Sequence, residues 1–363
     1  MVRVAILWDS IPDYVSKCIE TLANQGETEV LAYSFTHGAF PVELDRLKGY
    51  PNICLLEQSS PDQVFDQCQV FKPHLAVLTI TRGALSRRGI FARLASAWRK
   101  SGTLVIGACD HLWKGDWRDY ANLLASRLGL FSQYEAVLVP GAFGKIYARK
   151  LGFPEQAIFE GMYTCNTDTF EPIGLKRHKE ESNTDWPRVF LFVGQFIRRK
   201  GLDTLLRAYQ AYCQQAANPW ELWLVGSGVL EKDINEAPGV SNLGVKSSSQ
   251  IADIMLQAGC LVLPSRADHW GLVIHEASCA GLPILASSMC GASVELIQSG
   301  FNGYVFPVND EIFLTRLLMF MDEGGLAREM GNNSLYLSSR FSPELWGRRV
   351  MHDIPLLVRG APF

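Results

Sequence analysis

The chain has 363 residues, 48% of them hydrophobic, and a formal net charge of −3. That length suggests two domains with apolar material for two cores, and the slightly negative balance excludes a general nucleic-acid binder, whose affinity rests on a positive surface. No apolar run approaches the ~18 residues a membrane-spanning helix needs, and the opening run Met1 to Leu7 meets Asp9 and Pro12 rather than a cleavage signal, so a cytoplasmic protein is expected, with any membrane association peripheral.

In chain order, Val2 to Leu7, Glu29 to Ser34, Leu75 to Thr81, Thr103 to Gly107 and Ala136 to Pro140 read as strands. Helical stretches lie between them near Val15 to Asn24, Ile90 to Arg99 and Tyr120 to Gly129. Residues 171–187 are rich in charge, have no apolar period and are bounded by prolines, which reads as an interdomain linker. The second half restarts with the strand Val189 to Val193 and a helix whose Leu202, Leu205, Leu206, Tyr209 and Cys213 share one face. Glu221 to Val225, Val240 to Gly244, Cys260 to Leu263 and Pro283 to Ala286 continue the strands. Such alternation predicts α/β architecture with parallel sheets covered on both faces. Nine cysteines without a Cys-x-x-Cys read as reduced, buried thiols rather than a disulfide frame or zinc site.

The most informative window is Arg266 to Pro283. It follows a short apolar strand that Pro264 stops, and it places Asp268 and Glu276 eight positions apart around Gly271, where a helix begins. Strand, acidic loop and helix start is the arrangement that binds ligands at the carboxyl edge of an open α/β sheet, with helix N–H groups suited to an anion such as a diphosphate. Glu276, more than one turn into the helix, can present both oxygens to a vicinal diol such as a ribose. Asp268, in the loop, can meet a small polar substrate.

This window, with its aromatic-Gly and the following Glu-Ala-(x)3-Gly-x-Pro, resembles the donor-site signature of retaining glycosyltransferases of family 4. Gly194-Gln195-Phe-Ile-Arg198-Arg199-Lys200-Gly201 is similar to that family's diphosphate loop. Leu224-Val-Gly-Ser-Gly228, Asn242-Leu-Gly244, Leu261-Val-Leu-Pro-Ser265 and Gly300-Phe-Asn-Gly-Tyr304 keep its order and spacing. The resemblance implies a GT-B fold, two Rossmann-like parallel-sheet domains facing each other across a cleft. It assigns 1–170 to an acceptor domain, 188–345 to a nucleotide-sugar donor domain and 346–363 to a segment packing back on the first. Catalytic roles are implied for Lys200, Arg199, Asp268 and His111, and donor-binding roles for Gly194, Gln195, Arg198, Gly244, Gly271, Leu272, Glu276 and Gly291. Three positions depart from the family: Asp268 stands where Glu is usual, Gln195 where Arg is usual, and Ala292 where a second Gly is common.

The first half is less legible, since Leu7 runs into Trp8-Asp-Ser-Ile-Pro-Asp-Tyr14 with no glycine. Asp110-His111-Leu112-Trp113 resembles the family's His/Asp loop, with His111 able to hydrogen-bond the transferred sugar or acceptor. Arg82 to Lys100 holds six basic residues and no acidic one, with Phe91, Leu94, Ala95 and Trp98 on one stripe. It reads either as a core helix with a solvated face or as a basic patch for an anionic membrane or a phosphorylated acceptor. The expected activity is transfer of a sugar from a nucleotide diphosphate sugar to a glycan, lipid-linked or small-molecule acceptor, with retention. No Asp-x-Asp occurs, so no metal or other cofactor is expected. A non-catalytic nucleotide-sugar-binding relative is the alternative. A nicotinamide-dependent oxidoreductase is disfavoured because no strand leads into Gly-x-Gly-x-x-Gly.

Overall fold

The computed structural model describes every residue except 35–43, 57–59, 81–88, 180–184, 236, 324 and 363. The chain divides into two compact units, Met1–Cys165 with Phe341–Phe363, and Asn166–Arg340.

The first unit is built on β1 (Val2–Trp8), β2 (Thr28–Ser34), β3 (Ile53–Leu55), β4 (Leu75–Thr79), β5 (Leu104–Ala108), β6 (Ala136–Val139) and β7 (Ile158–Glu160). They form one parallel sheet in the order β3-β2-β1-β4-β5-β6-β7. Every residue of β4 and β5 is buried, because a parallel sheet carries helices on both faces, and this is why these strands read as continuous apolar runs. The helix Gly89–Lys100 sets Ile90, Phe91, Leu94 and Trp98 into the core against Leu78 and Val105. The stripe in the basic stretch is therefore core. Arg93 pairs with Asp62 at 3.3 Å and Arg99 with Glu135 at 3.1 Å, while Arg82, Arg87 and Arg88 lie outside the described residues.

The second unit carries β8 (Val189–Val193), β9 (Glu221–Val225), β10 (Val240–Gly244), β11 (Cys260–Leu263), β12 (Ile284–Ser287) and β13 (Gly303–Phe306). Their order is β10-β9-β8-β11-β12-β13, again all parallel. Doubly wound order reverses direction between β8 and β11, the position where such sheets open a crevice at the carboxyl ends.

Two expectations need correction. Glu171 to Lys179 is not linker but part of the helix Thr167–Lys179, which continues through Pro172 and belongs to the second unit. It lacks an apolar period because close backbone approach holds it: a Cβ on Gly174 would lie 2.2 Å from the Cys279 carbonyl oxygen. Buried Arg177 adds a hydrogen bond to the Ala258 carbonyl at 2.7 Å. Among the cysteines, all nine are free, but Cys54 on the edge strand β3 is exposed and Cys213 half-buried.

Candidate functional site

The β8/β11 crevice gathers most of the expected donor residues. After β8 the chain makes a tight turn at Arg198–Lys200 and enters the helix Leu202–Cys213 through Gly201 at φ 71°. No other residue fits there, since a Cβ on Gly201 would stand 2.0 Å from the Pro264 carbonyl oxygen. This contact presses the turn against the loop after β11. Arg199 donates to the Ala267 carbonyl at 2.9 Å, and the Arg266 amide donates to the Arg199 carbonyl at 2.8 Å.

Lys200 and Asp268 meet as a result. The ammonium lies 2.5 Å from the Asp268 carboxylate, with the two side chains 15% and 13% exposed. The loop is anchored on its other side too: the Gly291 amide donates to the Asp268 carbonyl at 3.1 Å and the Ala292 amide to the Trp270 carbonyl at 2.7 Å. Gly291 allows this lacing, because a Cβ there would lie 2.2 Å from the His269 carbonyl oxygen. Beneath the loop, burial pushes the Cys290 thiol up to about 12, with the Asp268 charge adding to it.

Gly271, at φ 85°, starts the helix Leu272–Cys279. Val273, Ile274, His275 and Ala277 are buried there, whereas Leu272 and Glu276 are half-buried. Being four residues apart, those two share the open face of the helix. Arg198 and Gln195 are exposed at the lip of the crevice. Gly194 donates to the Val225 carbonyl at 2.9 Å. Gly244 ends β10, two strands from β8, and its carbonyl accepts from the Gly226 amide at 3.0 Å.

Sequence reasoning missed the residue that braces this crevice. The Arg266 guanidinium grips both carboxylate oxygens of Asp203 at 2.7 and 2.8 Å, while its Nε donates to Asn309 at 2.6 Å. It also donates to the Arg198 carbonyl. Hydrogen bonding to Arg266, more than its charge, holds the Asp203 carboxyl below the usual range. The only hint in the sequence is an arginine directly after Pro264-Ser265.

His111 belongs to the other unit. It follows β5, its Nδ1 lies 3.4 Å from Asp110, and its ring is 5.6 Å from that of Tyr147. Asp110 accepts a hydrogen bond from the Tyr163 hydroxyl at 2.9 Å. Also at the carboxyl edge of this sheet, Thr79 donates to Asp9 at 3.3 Å. Beyond β5, the helix Trp117–Arg127 exposes an apolar row: Trp117 is 73% exposed, Tyr120 58%, Leu124 60% and Leu128 72%. Lys114, Arg118 and Arg127 are exposed around it. Its acids turn inward: Asp116 caps the helix and buried Asp119 accepts the Lys114 and Gly115 amides at 2.6 and 2.8 Å.

Residues 175–335 match the family described as "Glycosyl transferases group 1". An uncharacterized glycosyltransferase of Methanocaldococcus jannaschii is 30% identical over 168 residues, 44% of this chain and 45% of that protein. A D-inositol 3-phosphate glycosyltransferase of Streptomyces avermitilis is 37% identical over 158 residues, 39% of this chain and 34% of that enzyme. The matched part thus spans less than half the length of either relative. Among solved structures, Anabaena HepE in complex with UDP superposes with a TM-score of 0.72 at 17% identity, covering 96% of this chain and 98% of that one. The fold is accordingly GT-B.

Proposed function

We propose that the chain is a retaining glycosyltransferase that takes a sugar from a nucleoside diphosphate sugar. The observation that carries this reading is the crevice between β8 and β11, where Lys200, the adjoining arginines and the start of the helix Leu272–Cys279 converge beside Asp268. Those groups supply positive charge and N–H donors where a leaving diphosphate gains negative charge in the transition state. Glu276 would hold the ribose. Arg198, exposed at the lip, would stand in for the arginine that Gln195 replaces, since Arg199 already serves the Ala267 carbonyl. HepE and two further complexes of it were solved with UDP, UDP and glucose, and UDP-glucose, which makes a uridine donor the first to test.

With protein groups carrying the diphosphate charge, no metal is required. The bond from the anomeric carbon to the phosphate oxygen breaks as the acceptor oxygen bonds on the same face, and the acceptor proton passes to the departing phosphate oxygen. A screen of UDP-, GDP- and ADP-sugars by thermal shift identifies the donor, because a ligand at 100 times its dissociation constant stabilises by about 2.7 kcal/mol. Sugar transfer in the presence of EDTA then tests the chemistry. Strict dependence on magnesium would refute the metal-free scheme, and donor binding without turnover would leave a nucleotide-sugar-binding protein.

For the acceptor we propose one presented at an anionic membrane surface, to which the exposed row Trp117, Tyr120, Leu124 and Leu128 and its basic surround are suited. Aromatic and leucine side chains enter the headgroup boundary while basic residues meet acidic lipid. Liposomes with acidic lipid should sediment the protein at low salt, and Trp117→Ala with Leu124→Ser should release it. Sedimentation indifferent to both lipid charge and these substitutions refutes the membrane contact.

A further inference from the structure

At the amino ends of β1, β4 and β5, within the first unit and away from Asp9, Thr79 and His111, lies a pocket of about 460 Å³. Three cationic side chains line it, Arg3, Lys72 and Arg359, and among the described residues no carboxylate does. Its backbone acceptors are engaged. The Lys72 carbonyl accepts from Arg3 at 2.9 Å, the Pro73 carbonyl from Thr103 at 2.7 Å and the Gly102 carbonyl from Arg359 at 2.8 Å. Donors, by contrast, are left over. Trp98 lines the wall at 1% exposure, and its indole Nε1 has no hydrogen-bond partner among the described residues. The buried amide nitrogen of Gln69, on the same wall, has none either.

Buried donors without acceptors are uncommon in folded proteins because their desolvation goes uncompensated. An indole N–H cannot accept, nor can guanidinium or ammonium groups. The wall therefore offers positive charge from Arg3, Lys72 and Arg359 to an anionic ligand, with the two unpartnered N–H groups buried behind it. We infer that this pocket binds a soluble phosphate monoester. Its phosphoryl oxygens match the guanidinium and ammonium groups, and the volume leaves room for an attached organic group. Glu135, which pairs with Arg359 and Arg99, offsets part of the charge of Arg359, so Arg3 and Lys72 supply most of the attraction.

The test uses the full chain with Lys200→Ala, which weakens the phosphate-binding crevice of the second unit. Inorganic phosphate and glycerol 3-phosphate are titrated by calorimetry at an ionic strength fixed with chloride. Saturable binding of both is expected, with the monoester at least as tight. Lys72→Gln should weaken it about tenfold. Arg3→Gln, which removes the second of the two cations that carry most of the attraction, should weaken it by a similar factor. Unchanged melting curves establish that both variants fold. Heats no larger than those of chloride, or equal affinity in the parent and both variants, would overturn the assignment.

Discussion

Replacing Asp268 by Asn separates the two partners of the crevice with little change of shape. Lys200 now holds a charge-assisted hydrogen bond at 2.5 Å in a setting where its side chain is 15% exposed and that of Asp268 13%, so bulk salt screens the pair weakly. Such bonds are worth about 1.5–3 kcal/mol. To meet a diphosphate, Lys200 must loosen this bond, and the carboxylate also repels the incoming phosphates. The Asp268→Asn substitution would remove both penalties yet retain a weaker amide contact, so the lower end of the range applies. Free nucleoside diphosphate should therefore bind about tenfold tighter to Asp268→Asn. Transfer should fall, since the carboxylate next to the sugar position is gone, and the melting temperature should drop by a few degrees because Lys200 loses its ionic partner. Calorimetry with the nucleotide beside initial-rate assays with the donor reads both effects. Nucleotide affinity that is unchanged or weaker in Asp268→Asn refutes the competition of Asp268 with the diphosphate for Lys200.

Lys200→Ala should depress transfer at subsaturating donor by far more than it lowers the melting temperature; equal activity removes Lys200 from the site. Glu276→Ala should weaken the free nucleotide and the intact donor alike, by roughly 10- to 150-fold, and a loss confined to the sugar-bearing donor would contradict a ribose contact. The Asp203 carboxyl, held down by Arg266, contributes stability above its unfolded value near 3.9 and loses it as pH falls below that. The melting-temperature gap between the parent and Asp203→Asn should therefore close on acidification, and a gap constant from neutral pH to about pH 3 would show that the pair does not stabilise the fold.

The second unit was the more legible because its strands are sharply bounded and, apart from the edge strand Val240–Gly244, rich in apolar residues. Val189–Val193, Glu221–Val225, Val240–Gly244 and Cys260–Leu263 stand in the fold as the sequence pattern predicts, each closed by a glycine or proline where the chain turns. Short outer strands escaped: Ile53–Leu55 and Ile158–Glu160 have three residues each, too few for a periodicity to register. The helix Pro61–Phe71 was missed although Ser60 and Gln63 form a capping box at its start, a signal that was there to read. Within the site, position along the loop was readable and partnership was not. Lys200 with Asp268 and Arg266 with Asp203 are joined across 68 and 63 residues, and only the approach of β8 to β11, with Gly201 against Pro264, brings them together.

The route of the chain also bears on how the protein is made. Because the first unit is completed by Phe341–Phe363, the whole of the second is threaded into it as an insert. A ribosome delivers every residue of that insert before the last wall of the host. Trp346, Val350 and Ile354 are buried, and the helix Pro343–Arg348 packs on the helix Asp13–Ala23. Until it arrives, the helix Asp13–Ala23 waits with a face uncovered, while the insert already has all its strands and can close its own core. Removal of Phe341–Phe363 would thus leave the insert its own core and unroof the helix Asp13–Ala23.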